Sequence, residues 1–210
     1  MVKMSSSSDP VARELADTGR GWSSRGYLPH YDSSHVIQFI TWRLADSLPR
    51  PVILKLEQKL ELLGLEATRL EAKRRKQFES VLDRGYGECW LHRKRCAEIV
   101  RDCLLAQHEK LYLLHAFVLM PNHVHLLVQF APGNAMSDVV SAWKDSSAHE
   151  INRAVGRTGN LWQEDFWDRY IRDLDHYENA LRYVRLNPVK AGLVKRVDKW
   201  PWIWGAPNRR

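Results

Sequence analysis

Polar and apolar positions change their period several times along the chain, and the changes mark out its elements. HVIQFITWRL, His35 to Leu44, is dense in β-branched and aromatic residues and predicts a first strand. From Pro49 to about Leu82 the spacing becomes helical, with Gly64 breaking the run into two pieces. The stretch from Glu66 to Lys76 is so charged that one face must lie in water. Trp90 to Gln107 predicts a further helix with Ile99, Cys103 and Ala106 on one face. LYLLHAFVLM, Leu111 to Met120, and the run His123 to Phe130 predict two strands, joined into an antiparallel hairpin by the turn residues Pro121 and Asn122. After the loop APGNAM, Ser137 to Val155 is amphipathic, with Val140, Trp143, Ser147 and Ile151 on one side. Gly159 to Ile171 predicts a fourth, irregular strand. A last helix runs from about Asp173, where Asp173 or Asp175 caps it, to Asn187, where Pro188 should end it.

This order predicts an α+β sandwich, one antiparallel sheet with helices packed on a face and a helical insertion at about 49–107 after the first strand. The Ser run in MVKMSSSSDP reads as part of a disordered start over 1–19, without the apolar core of a secretory signal. RGWSSRGYLPHYDSS, Arg20 to Ser34, has neither helical nor strand period and reads as an irregular arm. Neither a linker nor an internal repeat divides the chain beyond residue 19, so a single domain is expected over 20–204, with a basic tail at 205–210. No apolar run reaches bilayer length, and a reducing cytoplasm is the expected compartment.

Composition changes this picture little, and charge more. Cys89, Cys96 and Cys103 recur every seven residues, which stacks them on one helix face. Three cysteines without a CxxC pair read as small buried side chains rather than as a disulfide or zinc framework. The formal charge is +7, and residues 181 to 210 hold eight basic side chains against the single acid Asp198, so the whole excess sits at the C-terminal end. Such a segment is a footprint for a polyanion, nucleic acid first, or a solubilising tail.

The chemistry begins at MPNHVHLLV. On a strand His123 and His125 point to one face and Val124 to the other, so two imidazoles can share a divalent ion, although two ligands alone do not make a site. The final helix sorts into three faces. Leu174, Tyr177, Leu181 and Val184 form an apolar stripe for the sheet, and Glu178, Arg182 and Arg185 a solvated or phosphate-facing stripe. His176, Ala180, Tyr183 and Asn187 form a third that is neither plainly core nor plainly solvent. Tyr183 and Asn187 lie one turn apart, so a phenol able to act as a nucleophile and an amide able to ligate a hard cation reach one place. A packed ring with a wet hydroxyl is the bland alternative for Tyr183.

MPNHVHLLV, the helix after it, FWDRYIRD and ALRYVRLNPVKAGLV together resemble the REP-associated tyrosine transposases, relatives of the single-tyrosine HUH transposases. RGWSSRGYLPHYD, FITWRLADSLP and LDRGYGECWL extend the resemblance from about Arg20 to Trp204. It implies a ferredoxin-like antiparallel sheet of four to five strands. It also implies that His123 and His125 ligate Mg²⁺ or Mn²⁺, that Tyr183 is the nucleophile, and that Asn187 stands where relatives carry a metal-binding glutamine one methylene longer.

The implied activity is cleavage and strand transfer of single-stranded DNA at REP-like hairpins through a 5′-phosphotyrosine, in a protein of the bacterial cytoplasm and nucleoid acting as monomer or dimer. A non-cleaving, sequence-specific binder of DNA hairpins is the alternative, and a phosphodiesterase using activated water a weaker one. Trp22, Arg25, Tyr27, Arg182, Arg185, Lys190, Lys195 and Arg196 are the expected DNA contacts. Trp200, Trp202 and Trp204 either stack on bases or anchor the chain's end. The base that would activate Tyr183 is not legible, with His176 the candidate.

Overall fold

The structure is a computed structural model that describes residues 21–24, 29–64 and 66–205. Its strands are β1 (Gly21–Ser24), β2 (Pro29–Asp32), β3 (Gln38–Arg43), β4 (Tyr112–Leu119), β5 (His123–Phe130), β6 (Trp167–Tyr170) and β7 (Ile203–Trp204). The helices are α1 (Arg50–Glu61), α2 (Ala67–Leu82), α3 (Lys94–Leu105), α4 (Met136–Val155) and α5 (Leu174–Lys190). Five strands form one antiparallel sheet in the order β6-β3-β5-β4-β7, with β5 at its centre. The α+β class and the antiparallel sheet follow the sequence pattern.

Strand alternation decides what each sheet face becomes. Val124, Leu126, Val128 and Phe130 of β5 pack with Ile40 and Trp42 of β3 against Ile99 of α3 and Val140, Trp143 and Ile151 of α4. Leu127 belongs to the other face, where Phe39, Ala116 and Val118 meet Ala180 and Val184 of α5. The two histidines share the parity of Leu127, so the fold puts them under α5. α2 closes the same side through Phe78, Val81 and Leu82, which pack with Leu48, Tyr86 and Trp167.

Several local expectations are corrected. Part of the segment read as an irregular arm forms a two-stranded ribbon, β1 paired with β2. It is held by long-range polar contacts that periodicity cannot reveal. His30 sits between Asp165 and Asp168, and Gln38 Nε2 donates to the Tyr31 carbonyl at 2.5 Å. The cysteine stack shortens to Cys96 and Cys103, because Cys89 takes a left-handed φ of 50° and α3 starts only after the extended Arg93. All three cysteines are free thiols.

In α5 the inward face is also shifted. Leu174 is 70% exposed in the first turn, while Ala180, Val184, Asn187 and Pro188 are buried. Val184 and Leu181 of the expected apolar stripe do meet the sheet, and they are joined there by Ala180 and Asn187 of the face that sequence left unassigned. Pro188 does not end the helix, which continues to Lys190 and closes with Ala191 N–H donating to the Asn187 carbonyl at 2.9 Å. A proline in the last turn forfeits one helical hydrogen bond, and here burial of its ring and of Asn187 outweighs that local preference. The expected disordered start, Arg25, Tyr27 and the tail beyond Gly205 lie outside the described residues.

Candidate functional site

Each of the two histidines is oriented by one neighbour. His125 pairs with Thr41 across β5 and β3, and the Thr41 hydroxyl lies 2.7 Å from His125 Nδ1. His123 Nδ1 lies 2.7 Å from Asn122 Oδ1. The Asn122 amide nitrogen faces two carbonyls, donating to Leu82 O at 3.2 Å and Tyr86 O at 3.0 Å. That leaves Asn122 Oδ1 as an acceptor, so His123 must carry its proton on Nδ1 and present a lone pair at Nε2. At His125 the hydroxyl can serve either tautomer.

Both imidazoles are fully buried, with rings 4.6 Å apart. Burial holds His123 neutral, down at about 3, and burial together with the neighbouring His123 holds His125 well below the usual histidine range. Neutral imidazoles are the ligating form. Nε2 of each ring has no hydrogen-bond partner.

Tyr183 and Asn187 arrive from α5 on the same face. The Tyr183 ring meets His125 edge to face at 5.2 Å and Phe39 at 5.8 Å. Its hydroxyl and both amide atoms of Asn187 are buried and make no hydrogen bond of good geometry, although the hydroxyl lies within reach of the Glu79 carboxylate and the Asn187 amide. Burial first, and then the charges of Glu79 and Asp83, push the phenol far above its ordinary value. Lys190 Nζ stands 5.0 Å from the ring centroid. The competing tyrosines are committed elsewhere: Tyr177 hydroxyl bonds His115 Nδ1 at 3.0 Å, and Tyr170 packs on Tyr31.

Two carboxylates that sequence did not nominate complete the surroundings, both from α2 and its end. Glu79 is raised by burial, and Asp83 is pushed up to about 6 by burial and then by the charge of Glu79. Asp83 Oδ1 lies 3.8 Å from His123 Nε2. A recess beside Phe39 and Thr41 is lined by Arg75, Glu79, Trp167, Asp168 and Arg169. Its two guanidinium groups repel one another, and Arg169 is lowered by burial and by Arg75.

Among the described residues no group of three or more His, Cys, Asp or Glu side chains is gathered closely enough to chelate an ion unaided. The donor set nevertheless suits a divalent cation: two neutral imidazole nitrogens and a carboxamide, all buried with atoms unsatisfied. An orphaned polar atom in an interior costs about 1–3 kcal/mol. Five such atoms on four side chains at one spot mark a place shaped for something polar. His176 is not part of this group. Its backbone N–H donates to Asp173, the helix cap, and its Nδ1 accepts from Arg172 N–H.

The expected DNA contacts are spread more widely. Arg182 and Lys190 are exposed on α5, and Arg185 is half-buried. Lys195 and Arg196 follow on the segment leading to β7, with Arg196 paired to Asp198 at 2.9 and 3.1 Å. Trp22 lies in β1. The late tryptophans are anchors: Trp200 Nε1 donates to the Leu119 carbonyl at 3.0 Å, Trp202 O accepts from Leu119 N–H at 2.9 Å, and Trp204 stacks on Phe117.

The chain is similar in sequence and fold to known proteins. The sequence profile of the family described as "Transposase IS200 like" matches residues 87–180, a span that contains both histidines and stops short of Tyr183. The chain is 31% identical over 106 residues to the REP-associated tyrosine transposase of Escherichia coli (strain K12), covering 50% of this chain and 62% of that one. A second curated relative, from Haemophilus influenzae (strain ATCC 51907 / DSM 11121 / KW20 / Rd), is 32% identical over 97 residues, covering 41% of this chain and 55% of its own length. The chain thus spans about three fifths of the length of these relatives. A solved structure described as a REP-associated tyrosine transposase bound to a REP hairpin superposes with a TM-score of 0.50 at 21% identity, covering 86% of this chain and 82% of that chain, and shares the fold.

Proposed function

We propose that this protein is a single-tyrosine transposase-like nuclease that cuts and rejoins single-stranded DNA at REP-like hairpins. The observation that carries the reading is the convergence of His123, His125, Tyr183 and Asn187 under α5, each with an unsatisfied buried polar atom. The similarity to REP-associated tyrosine transposases, one of them described in complex with a REP hairpin, supports the substrate class.

In this reading His123, His125 and Asn187 hold Mg²⁺ or Mn²⁺, which supplies Lewis-acid polarisation of the scissile phosphate when bound. Asn122 and Thr41 keep the imidazoles aimed, as outer partners of ligating histidines do. The Tyr183 hydroxyl oxygen attacks phosphorus and becomes bonded to the phosphate at the 5′ end of the downstream fragment, while the P–O3′ bond breaks and the 3′ oxygen of the upstream fragment takes up a proton and leaves as a hydroxyl. The phenolic proton must go to a neighbour, because burial otherwise keeps the hydroxyl protonated. The linkage stores the broken bond, so a second 3′-hydroxyl reverses the step and completes strand transfer. The recess with Arg75, Arg169 and Trp167 accepts a flanking phosphate and base of the same strand.

The test is incubation of the full chain with an end-labelled single-stranded hairpin and Mn²⁺, followed by denaturing electrophoresis. A covalent adduct absent in Tyr183→Phe supports the reading. Tight hairpin binding with no adduct, indifferent to loss of both histidines, would instead identify a non-cleaving binder.

A further inference from the structure

The nominated ligands lack an anion. His123, His125 and Asn187 are all neutral donors, whereas Mg²⁺ and Mn²⁺ favour carboxylate oxygen. The nearest carboxylate to the imidazoles comes from the helical insertion. Asp83 caps the C-terminal end of α2, and its Oδ1 lies 3.8 Å from His123 Nε2. Neither atom has a hydrogen-bond partner, and 3.8 Å is too long for a proton to bridge them.

The tautomer makes this contact informative. With its proton committed to Asn122, His123 turns a lone pair towards a carboxylate oxygen. Two acceptors facing each other are unfavourable unless a cation, or a water donating to both, lies between them. A divalent ion about 2.1 Å from each of two ligand atoms separates them by about 3.0 Å at a right angle and about 4.2 Å in a straight line. The observed spacing falls inside that interval.

The gap is also held from both sides by one residue. Asn122 orients His123 through its oxygen and grips Leu82 O and Tyr86 O, on either side of Asp83, through its nitrogen. Leu82 is buried in the satellite core, and Asp83 N–H closes the helix on Glu79 O. The insertion therefore holds Asp83 beside His123, although with His125 added the three side chains are not yet gathered closely enough to chelate an ion unaided, so binding must draw them together.

We propose that Asp83 is a ligand of the same divalent ion as His123 and supplies its negative charge. This rests on the reading of the site as metal-binding. It assigns the insertion a part in the active centre, which a sheet with histidines and tyrosine alone would not need.

The test is titration of the full-length apoprotein with MnCl₂, with free Mn²⁺ read by electron paramagnetic resonance and the apo thermal midpoint recorded for each variant. Asp83→Asn is expected to weaken Mn²⁺ binding at least tenfold with an unchanged apo midpoint. Asp83→Ser, read in the same way, serves if the asparagine variant does not fold. Binding within threefold of the parent in a folded Asp83 variant, while His123→Ala abolishes it, would overturn the assignment and leave the metal site standing. A parent chain that takes up no Mn²⁺ would overturn both.

Discussion

Tyr183 approaches His125 edge to face, ring centroids 5.2 Å apart and planes at 75°, while its hydroxyl finds no hydrogen bond of good geometry. The ring is thus packed and the oxygen is not satisfied. Tyr183→Phe keeps the packing and removes the orphan, so it should cost no stability. The expected result is a thermal midpoint equal to or above that of the parent, within about 1 kcal/mol, alongside complete loss of covalent adduct. A large drop in the midpoint would mean that the hydroxyl is bonded in solution.

Asn122 holds three partners at once, and its loss should be felt twice. Asn122→Ala leaves the Tyr86 carbonyl with only the weak Cys89 thiol as donor and frees His123 to change tautomer. Stability measured by urea unfolding should fall by about 1–3 kcal/mol. Mn²⁺ affinity should fall by about 10- to 100-fold. Asn122→Asp keeps the acceptor for His123 but sets a carboxylate against two carbonyls, so it should lose more stability than alanine does.

The β1–β2 ribbon is docked by a titrating group. The close carboxylate of Asp165, 3.3 Å from His30 Nε2, and then the hydrogen bond to Asp168 raise its pKa from 6.5 to about 9. A raised folded value means that its stabilisation is complete below about pH 6.5 and disappears as pH rises through about 9. Thermal midpoints taken from pH 6 to pH 9.5 should therefore decline more steeply for the parent than for His30→Gln. Parallel curves would show that the docking does not depend on the charge.

Gly87 tests how firmly the turn after α2 is built. Its φ is +86°, and a Cβ there would lie 2.7 Å from Asp46 Cγ and 2.9 Å from the Asp46 carbonyl oxygen. The same Asp46 accepts from Glu88 N–H at 2.8 Å. Gly87→Ala should cost at least about 1–3 kcal/mol by chemical unfolding, from left-handed strain and the collision together.

Arg75 and Arg169 line one recess together with the carboxylates of Glu79 and Asp168, so a phosphate held there would compete with those carboxylates for the two guanidinium groups. Removing either should weaken binding of a single-stranded oligonucleotide. For every phosphate no longer neutralised, the slope of log affinity against log salt should become shallower by about 0.7. Unchanged slopes in Arg75→Ala and Arg169→Ala would exclude phosphate from the recess.

Strand parity placed His123 and His125 on one face from sequence alone, and helical spacing brought Tyr183 and Asn187 together. Both are local regularities, and both survive in the structure. What sequence could not show depends on pairing between distant segments. Thr41 becomes the partner of His125 only through the register of β3 on β5, and Asp83 reaches His123 only because the insertion folds back. Asn122 was visible as a turn residue, but its two carbonyl partners lie on another element. The α5 faces were misjudged at Leu174, because an apolar stripe says which residues are alike and not where the helix first touches the sheet.

The two residues of β7 alter the meaning of the basic C-terminal segment. Ile203 and Trp204 pair with Val118 and Phe117 of β4, while α5 fixes the other end at Lys190. Lys195 and Arg196 thus ride on a closed span rather than a free tail. Much of the configurational freedom that a dangling chain would surrender on meeting a polyanion has already been given up during folding. A polyanion arriving there would meet charges at set positions, so in the proposed reading this segment would contribute direction as well as attraction.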